Sequence, residues 1–298
     1  MAIHPTLVLP TGANFIALGQ AGAVFHDDNG IVNKIPIVHD FTGCDEAAIV
    51  HHRHLEYISD VCITREKLIY QTLPKNSNIL DCLKISDCGL YFPYHQLGDL
   101  RTYLSDHQVS QGTRGRWIKN AIDAIAFVHS HGVVHADIAP RNFLVADDLS
   151  LKLCDFAGSV IVGDDMESCV AEEDRYRLAP GSPRSFTTDL FALGCLIYEI
   201  SSGSPPYDGI DTEKVTELYA IKRFPSLKGL RYRSLIKNCW NSTYTTASML
   251  QVDFDHYEHD NGQAPTFSLW GRGLLMPAFC TFCFGSVIFL AYQMRTLK

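Results

Sequence analysis

The sequence predicts an α+β chain in two parts, a small β-rich part first and a larger helical part second, followed by an apolar C-terminal helix. Three observations predict it. Residues 14–40 alternate apolar runs with Gly and Asn/Asp turns, as short antiparallel strands do. Further along, apolar residues recur at helical spacing in four segments, 114–131, 187–202, 211–221 and 231–250. Finally, Leu274–Tyr292 runs for 19 residues without a charge.

Composition narrows the class. A chain of 298 residues reads as one large or two small domains at about 150 residues each. With 46% hydrophobic and 19% charged residues it is neither disordered nor low in complexity. A net charge of −8 argues against nucleic acid as a partner. No Lys or Arg precedes Lys34, so the basic region of a secretory signal is missing. The ten cysteines lie scattered in apolar runs (Cys62, Cys154, Cys195, Cys239), which predicts small buried hydrophobes in a reducing compartment. In such a compartment the sequon Asn241-Ser242-Thr243 carries no meaning.

The elements follow in order. After the first strands, the spacing of Val61, Cys62, Ile69, Tyr70 and Leu73 predicts a helix from about Ile58 to Leu73. Gly89–Tyr94 reads as a strand, and the boundary between the two parts falls at 95–99. A strand–turn–strand stretch over 133–162 separates the first two long helices. Residues 253–264 are polar and loop-like. The organisation is therefore a first lobe over 12–94, a second over 95–255, a linker over 256–273 and the apolar segment 274–292.

The densest chemistry lies in two turns. One is His135-Ala136-Asp137-Ile138-Ala139-Pro140-Arg141-Asn142-Phe143-Leu144; the other is Asp155-Phe156-Ala157-Gly158. Carboxylates and an amide gathered so closely can position a reacting group and neutralise charge without covalent help. Oxygen donors also suit a hard cation. Upstream, Ala17-Leu18-Gly19-Gln20-Ala21-Gly22-Ala23-Val24 is a small-residue turn of the kind that lets backbone amides approach phosphates. Ile31-Val32-Asn33-Lys34 then supplies the single cation among the first 52 residues.

Together these motifs resemble the eukaryotic protein kinase superfamily: HRDxxxxN and DFG loops, a Gly-rich loop and a VAIK strand, in the right order. The resemblance covers about Asn14 to Asp255 and implies a bilobal protein-kinase-like fold. It implies ATP and Mg²⁺ as cofactors and a protein hydroxyl as acceptor. By that likeness Asp137 orients the acceptor, and Asn142 and Asp155 hold Mg²⁺. Lys34 holds the α- and β-phosphates and pairs with a helix glutamate, Glu66 in preference to Glu56. Gly19 and Gly22 shape the phosphate loop. Phe92 stands as gatekeeper, the Pro93 carbonyl and His95 amide meet the adenine edge, and Val24, Val32 and Leu144 enclose the ring. Asp99 reaches the ribose or caps the next helix. Asp189-Leu190-Phe191-Ala192-Leu193-Gly194 resembles DxWxxG, whose Asp braces the catalytic loop. Phe224-Pro225, Cys239-Trp240 and Tyr244 are reminiscent of kinase-like proteins of filamentous fungi.

The departures are specific. Ala136 stands for the Arg of HRD, so activity is expected not to depend on loop phosphorylation, and Ser159, Ser168 and Tyr176 are weak candidates for modification. Ala157 replaces the Gly of DFG and should stiffen that turn, and Ala179-Pro180-Gly181 lacks the Glu of APE. Arg141 sits where tyrosine kinases carry an arginine, which points to stabilisation of the transferring phosphate without deciding between Ser/Thr and Tyr acceptors. A pseudokinase scaffold and a small-molecule phosphotransferase remain the alternatives.

The run 274–292 would extend about 28 Å as a helix, close to the roughly 30 Å hydrocarbon core. It reads as a C-terminal membrane anchor for a cytoplasmic catalytic body, against the alternative of a buried or docking tail. Cys280 and Cys283 within it read as an apolar or acylated pair.

Overall fold

A computed structural model describes residues 4–10, 12, 14–164, 170–178 and 181–262. The chain forms two compact units, Met1–Asp260 and Asn261–Lys298. Ser168, Ala179, Pro180 and the whole run 274–292, with Cys280 and Cys283, lie outside the described residues. Among the described residues no helix is long and apolar enough to cross a membrane.

The first half of unit one is a five-stranded antiparallel sheet packed on one long helix. Strands β1 (Thr6–Leu7), β2 (Asn14–Gly19), β3 (Gly22–His26), β4 (Ile31–Ile35) and β5 (His39–Asp40) come first. Helix α1 (Glu46–Thr72), β6 (Lys84–Ser86) and β7 (Gly89–Pro93) follow. The sheet order is β2-β3-β4-β7-β6, with β1 and β5 paired separately. Alternation explains the seating: Ala23 and Phe25 of β3 and Leu90 and Phe92 of β7 are buried. Ile63 of α1 packs with Leu80, Leu90 and Phe92 in the small core between sheet and helix.

The predicted helix from Ile58 is real but starts twelve residues earlier, at Glu46. Asp45 caps it by accepting the Ala48 N–H at 2.8 Å. Its first turns are rich in His, Arg and Glu and show almost no buried face, which is why apolar periodicity missed them.

The second half is helical. After α2 (Leu100–Asp106) and α3 (Gln111–Ser130) come the short strands β8 (Val133–Val134), β9 (Phe143–Val145), β10 (Leu151–Leu153) and β11 (Val160–Ile161). Helices α4 (Phe186–Ser202), α5 (Thr212–Ala220), α6 (Arg233–Trp240) and α7 (Ala247–Gly262) complete it. Trp117, Ile118 and Ile122 of α3 and Phe191, Leu193 and Ile197 of α4 lie in one large core. Gly194 lets α4 approach α6: a Cβ there would stand 2.6 Å from the Cβ of Cys239.

Two sequence readings need correction. The segment 231–250 is not one helix: Ser242 turns left-handed (φ 54°) and ends α6. Residues 253–262 of the stretch read as a loop are helical, because α7 runs through Gly262, so the linker drawn at 256–273 overlaps a helix; 263–273 lie outside the described residues. Its polar composition hid a packed stripe. Phe254 is buried and stacks on Tyr232 (5.6 Å between ring centroids), and Glu258 accepts from Arg231 and Tyr232 at 2.8–3.0 Å. The cysteines also divide differently from expectation. Cys62, Cys195 and Cys239 are buried, Cys44, Cys82 and Cys154 partly so, and Cys88 is exposed.

Candidate active site

The sheet and the helical half enclose a cleft of about 540 Å³. Its lining includes Gly19, Gly22, Val24, Val32, Lys34, Glu66, Phe92, Pro93, His95, Asp99, Arg141, Asn142, Leu144 and Asp155. Every residue assigned to the phosphate-binding or catalytic set in the sequence is among them except Asp137, which is buried and bonded to two that are, Arg141 and Asn142. Sequence reasoning did not pick out Ile16, Leu18, Leu80 or Cys154, which also line it. Nothing distinguishes such apolar residues from core until the cleft has formed.

The roof is the β2–β3 hairpin, closed by the pairing of Gly19 with Gly22. The two glycines differ in kind. Gly22 has φ 151°, and a Cβ on it would stand 2.5 Å from the carbonyl oxygen of Ile35, whereas Gly19 has open space around it. At the back edge, Pro93 ends β7 opposite Ile31, and the Tyr94 N–H is taken by Gly30. Burial lowers the pKa of the His95 imidazole. Asp99 caps α2 by accepting from Arg101 and Thr102, so the cap alternative has a structural basis.

Charge converges at the inner end. Lys34 Nζ lies 2.5 Å from Glu66 Oε2 and 2.7 Å from Asp155 Oδ1. Burial alone would lower the Lys34 pKa, but Asp155 and Glu66 outweigh it and raise it, so the ammonium is charged at neutral pH. Burial likewise acts to raise Asp155; Lys34 overcomes it and holds that carboxylate below its usual range. Glu66, with almost no exposure, is raised by burial, which Lys34 offsets only in part. Glu56, the alternative partner, pairs instead with the backbone and ring of His39.

The 135–142 turn is braced from below. Asp189 Oδ2 accepts the His135 N–H at 2.7 Å, and its Oδ1 accepts the Ala136 N–H at 2.9 Å. This hold accompanies a strained backbone, since Ala136 and Asp155 both have φ 62°. Ala157 does not share that conformation, so replacing glycine there costs no left-handed strain. Phe156 is fully buried, with its ring 5.2 Å from Tyr70 and 5.1 Å from His135. Arg65 on α1 donates to the Ser159 carbonyl at 2.6 Å.

Arg141 is placed differently from a free phosphate ligand. Its Nη2 spans both oxygens of Asp137, at 2.6 and 2.8 Å, and its Nη1 donates to Glu173. Asn142 donates through Nδ2 to the Asp137 backbone carbonyl (2.6 Å) and to Oδ2 (2.9 Å). With that nitrogen committed, its amide oxygen is the atom Asn142 can offer a cation. Among the described residues no trio of His, Cys, Asp and Glu gathers as a metal site. One anionic carboxylate and one amide oxygen nevertheless fit Mg²⁺, which completes its shell with water and phosphate oxygens.

Ser159 and Tyr176, both candidates for modification, are buried and engaged. Ser159 donates to the His135 carbonyl at 3.0 Å, and Tyr176 donates to Glu199. Glu199, on α4, supplies a buried carboxylate for the 170–178 segment in a chain whose Ala179-Pro180-Gly181 lacks one.

The protein kinase domain family matches residues 49–251. That match begins beyond the hairpin and Lys34, so the first three strands of the sheet rest on geometry. Among curated proteins, the chain is 31% identical over 139 residues to the serine/threonine-protein kinase PDK1 of Cryptococcus neoformans, covering 42% of this chain and 11% of that one. It is 29% identical over 189 residues to the dual specificity protein kinase Ttk of Danio rerio, covering 58% and 18%. It is 29% identical over 168 residues to the serine/threonine-protein kinase PknB of Mycolicibacterium smegmatis, covering 50% and 26%. The chain thus spans about a quarter or less of the length of these relatives.

Proposed function

Because the chain belongs to the protein kinase family, we propose that it transfers the γ-phosphate of ATP to a protein hydroxyl. The observation that carries this is Lys34 bridging Glu66 and Asp155 in a cleft whose Arg141 and Asn142 are bonded to Asp137. Lys34 pairs with the α- and β-phosphates, and Glu66 holds its ammonium in place. Asp155 and Asn142 hold Mg²⁺, which neutralises phosphate charge when bound. Asp137 orients the acceptor hydroxyl and takes its proton. Val24, Val32 and Leu144 enclose the adenine, with Phe92 behind it. The serine/threonine-protein kinases among the relatives favour an aliphatic hydroxyl.

One observation favours a second reading, a scaffold that binds nucleotide without turnover: both oxygens of Asp137 are engaged by Arg141 and Asn142. The full chain with ATP, Mg²⁺ and a degenerate peptide library separates the two. Transfer that disappears in Asp137→Asn supports the kinase. Nucleotide binding with no transfer to any peptide or small alcohol overturns it. The candidate anchor 274–292 rests on sequence alone, and release of the full chain by alkaline carbonate would refute it.

A further inference from the structure

The 170–178 segment meets the 135–142 turn through a chain of alternating charges. Asp137 receives Arg141, and Arg141 also donates to Glu173 Oε2. That same oxygen accepts Arg101 Nη1 at 3.0 Å. Arg101 Nε then lies 4.0 Å from Glu199, the buried carboxylate that holds Tyr176. The Arg101 guanidinium also sits over the Tyr176 ring, 5.5 Å from its centroid. A backbone tie runs beside it, with Arg184 donating to the Ala136 carbonyl at 3.3 Å and to that of Val170.

From this arrangement we propose that Glu173 is a positioning residue for the transfer reaction: its carboxylate, clamped between Arg101 and Arg141, keeps the Arg141 guanidinium on Asp137. It thereby fixes the segment against the turn without covalent modification. The proposal rests on the phosphotransfer reading of the cleft. Its physical basis is charge alternation. One carboxylate oxygen between two guanidinium groups screens their repulsion. Neutralising it leaves two like charges facing each other, and Arg141, whose side chain is 36% exposed, is then free to leave Asp137 for water. Ala136 brings no cation to this turn, so the anion on the segment is met by arginines from α2 and from the turn itself. The buried hydroxyls of Ser159 and Tyr176 are committed to other partners, which removes them as sources of a switchable charge.

The test uses the full chain as wild type, Glu173→Gln, Glu173→Asp and Arg101→Gln, each treated with phosphatase. Transfer kinetics are followed together with hydrogen exchange of amides 171–178. The clamp requires wild-type activity to survive phosphatase. It requires kcat of Glu173→Gln to fall by about tenfold or more, as for a misplaced reacting group. KM for ATP should stay unchanged, since Glu173 does not line the cleft. Glu173→Asp should restore part of the rate. Arg101→Gln, which touches Glu173 but not Asp137, should lower kcat in the same sense, and exchange should quicken in both neutral variants. An unchanged kcat in Glu173→Gln overturns the proposal. So does a raised kcat, which would make the carboxylate a block on the acceptor site, and so does activity that vanishes with phosphatase. A wild-type chain that binds nucleotide without transfer defeats the functional reading instead, and the clamp then stands or falls on the exchange rates.

Discussion

Lys34 and Glu66 meet at 2.5 Å, joining β4 of the sheet to the C-terminal third of α1 in the cleft. The pair has almost no access to water, so neither charge can be removed without leaving the other to find a partner. Lys34→Met strands two carboxylates, Glu66 and Asp155, and should abolish measurable transfer. Glu66→Gln keeps the Asp155 contact and an oxygen for the Phe156 N–H, so it should cost less, on the order of 10²-fold. Steady-state transfer rates beside nucleotide titrations check the order. Equal losses in the two variants would mean that Glu66 does more than hold Lys34.

Gly19 and Gly22 look equivalent in the hairpin but should respond oppositely to alanine. At Gly22 the new Cβ collides with the Ile35 carbonyl, so Gly22→Ala should destabilise the sheet by about 1–3 kcal/mol. Gly19→Ala meets no atom, so the melting temperature should hold. Nucleotide affinity should fall about fivefold, roughly 1 kcal/mol, if close backbone approach to phosphate matters there. Calorimetry and a binding isotherm on each variant separate the two roles.

Asp189→Asn should both destabilise the chain and disable it. The amide can replace only one carboxylate oxygen, and its NH₂ must face a buried donor from His135, Ala136 or His129. An orphaned buried N–H costs about 1–3 kcal/mol. At this chain size that lowers the melting temperature by roughly 2–4 °C per kcal/mol. The left-handed Ala136 loses its restraint as well, so transfer should fall even at temperatures where the variant is fully folded.

Glu172 gives the segment a pH dependence. Burial pushes its carboxyl up to about 7; Arg184 opposes the shift, and Asp189 and Asp137 add to it. A carboxyl held above its unfolded value of 4.5 binds its proton more tightly in the fold. The stabilisation is therefore complete below about pH 4.5 and is lost as pH rises through about 7. Discounted for partial exposure, it amounts to about 1–2 kcal/mol. Glu172→Gln should melt above wild type at pH 8 and lose that advantage at pH 5. Melting curves of both chains across that range check it, and a pH-independent difference would contradict it.

The candidate site was legible where its parts are contiguous. Asp137, Arg141, Asn142 and Asp155 announce themselves because a tight turn forces fixed residue types into neighbouring positions. Lys34 stood out because the residues around it carry no other cation. Strands β2, β3, β4 and β7 were legible from apolar runs set between turns, whereas the three-residue β6 is too short to carry such a pattern. Helix α7 was not, since one apolar face spread among Asp, His and Glu leaves little periodic signal.

The sequence by itself determined the α+β class, the order of the motifs and the candidate residues that the fold brings to the cleft, because spacing along a turn or strand is a local property. Only the tertiary structure decided which charges meet. Glu173 finds Arg101 across 72 residues and Arg141 across 32, and a charged side chain on a loop reads the same whether water or a guanidinium covers it. The fold alone also separated Gly22, pressed against Ile35, from Gly19, where an added Cβ would meet no atom: contact between strands is set by packing, and packing leaves no mark on either glycine's neighbours in the chain.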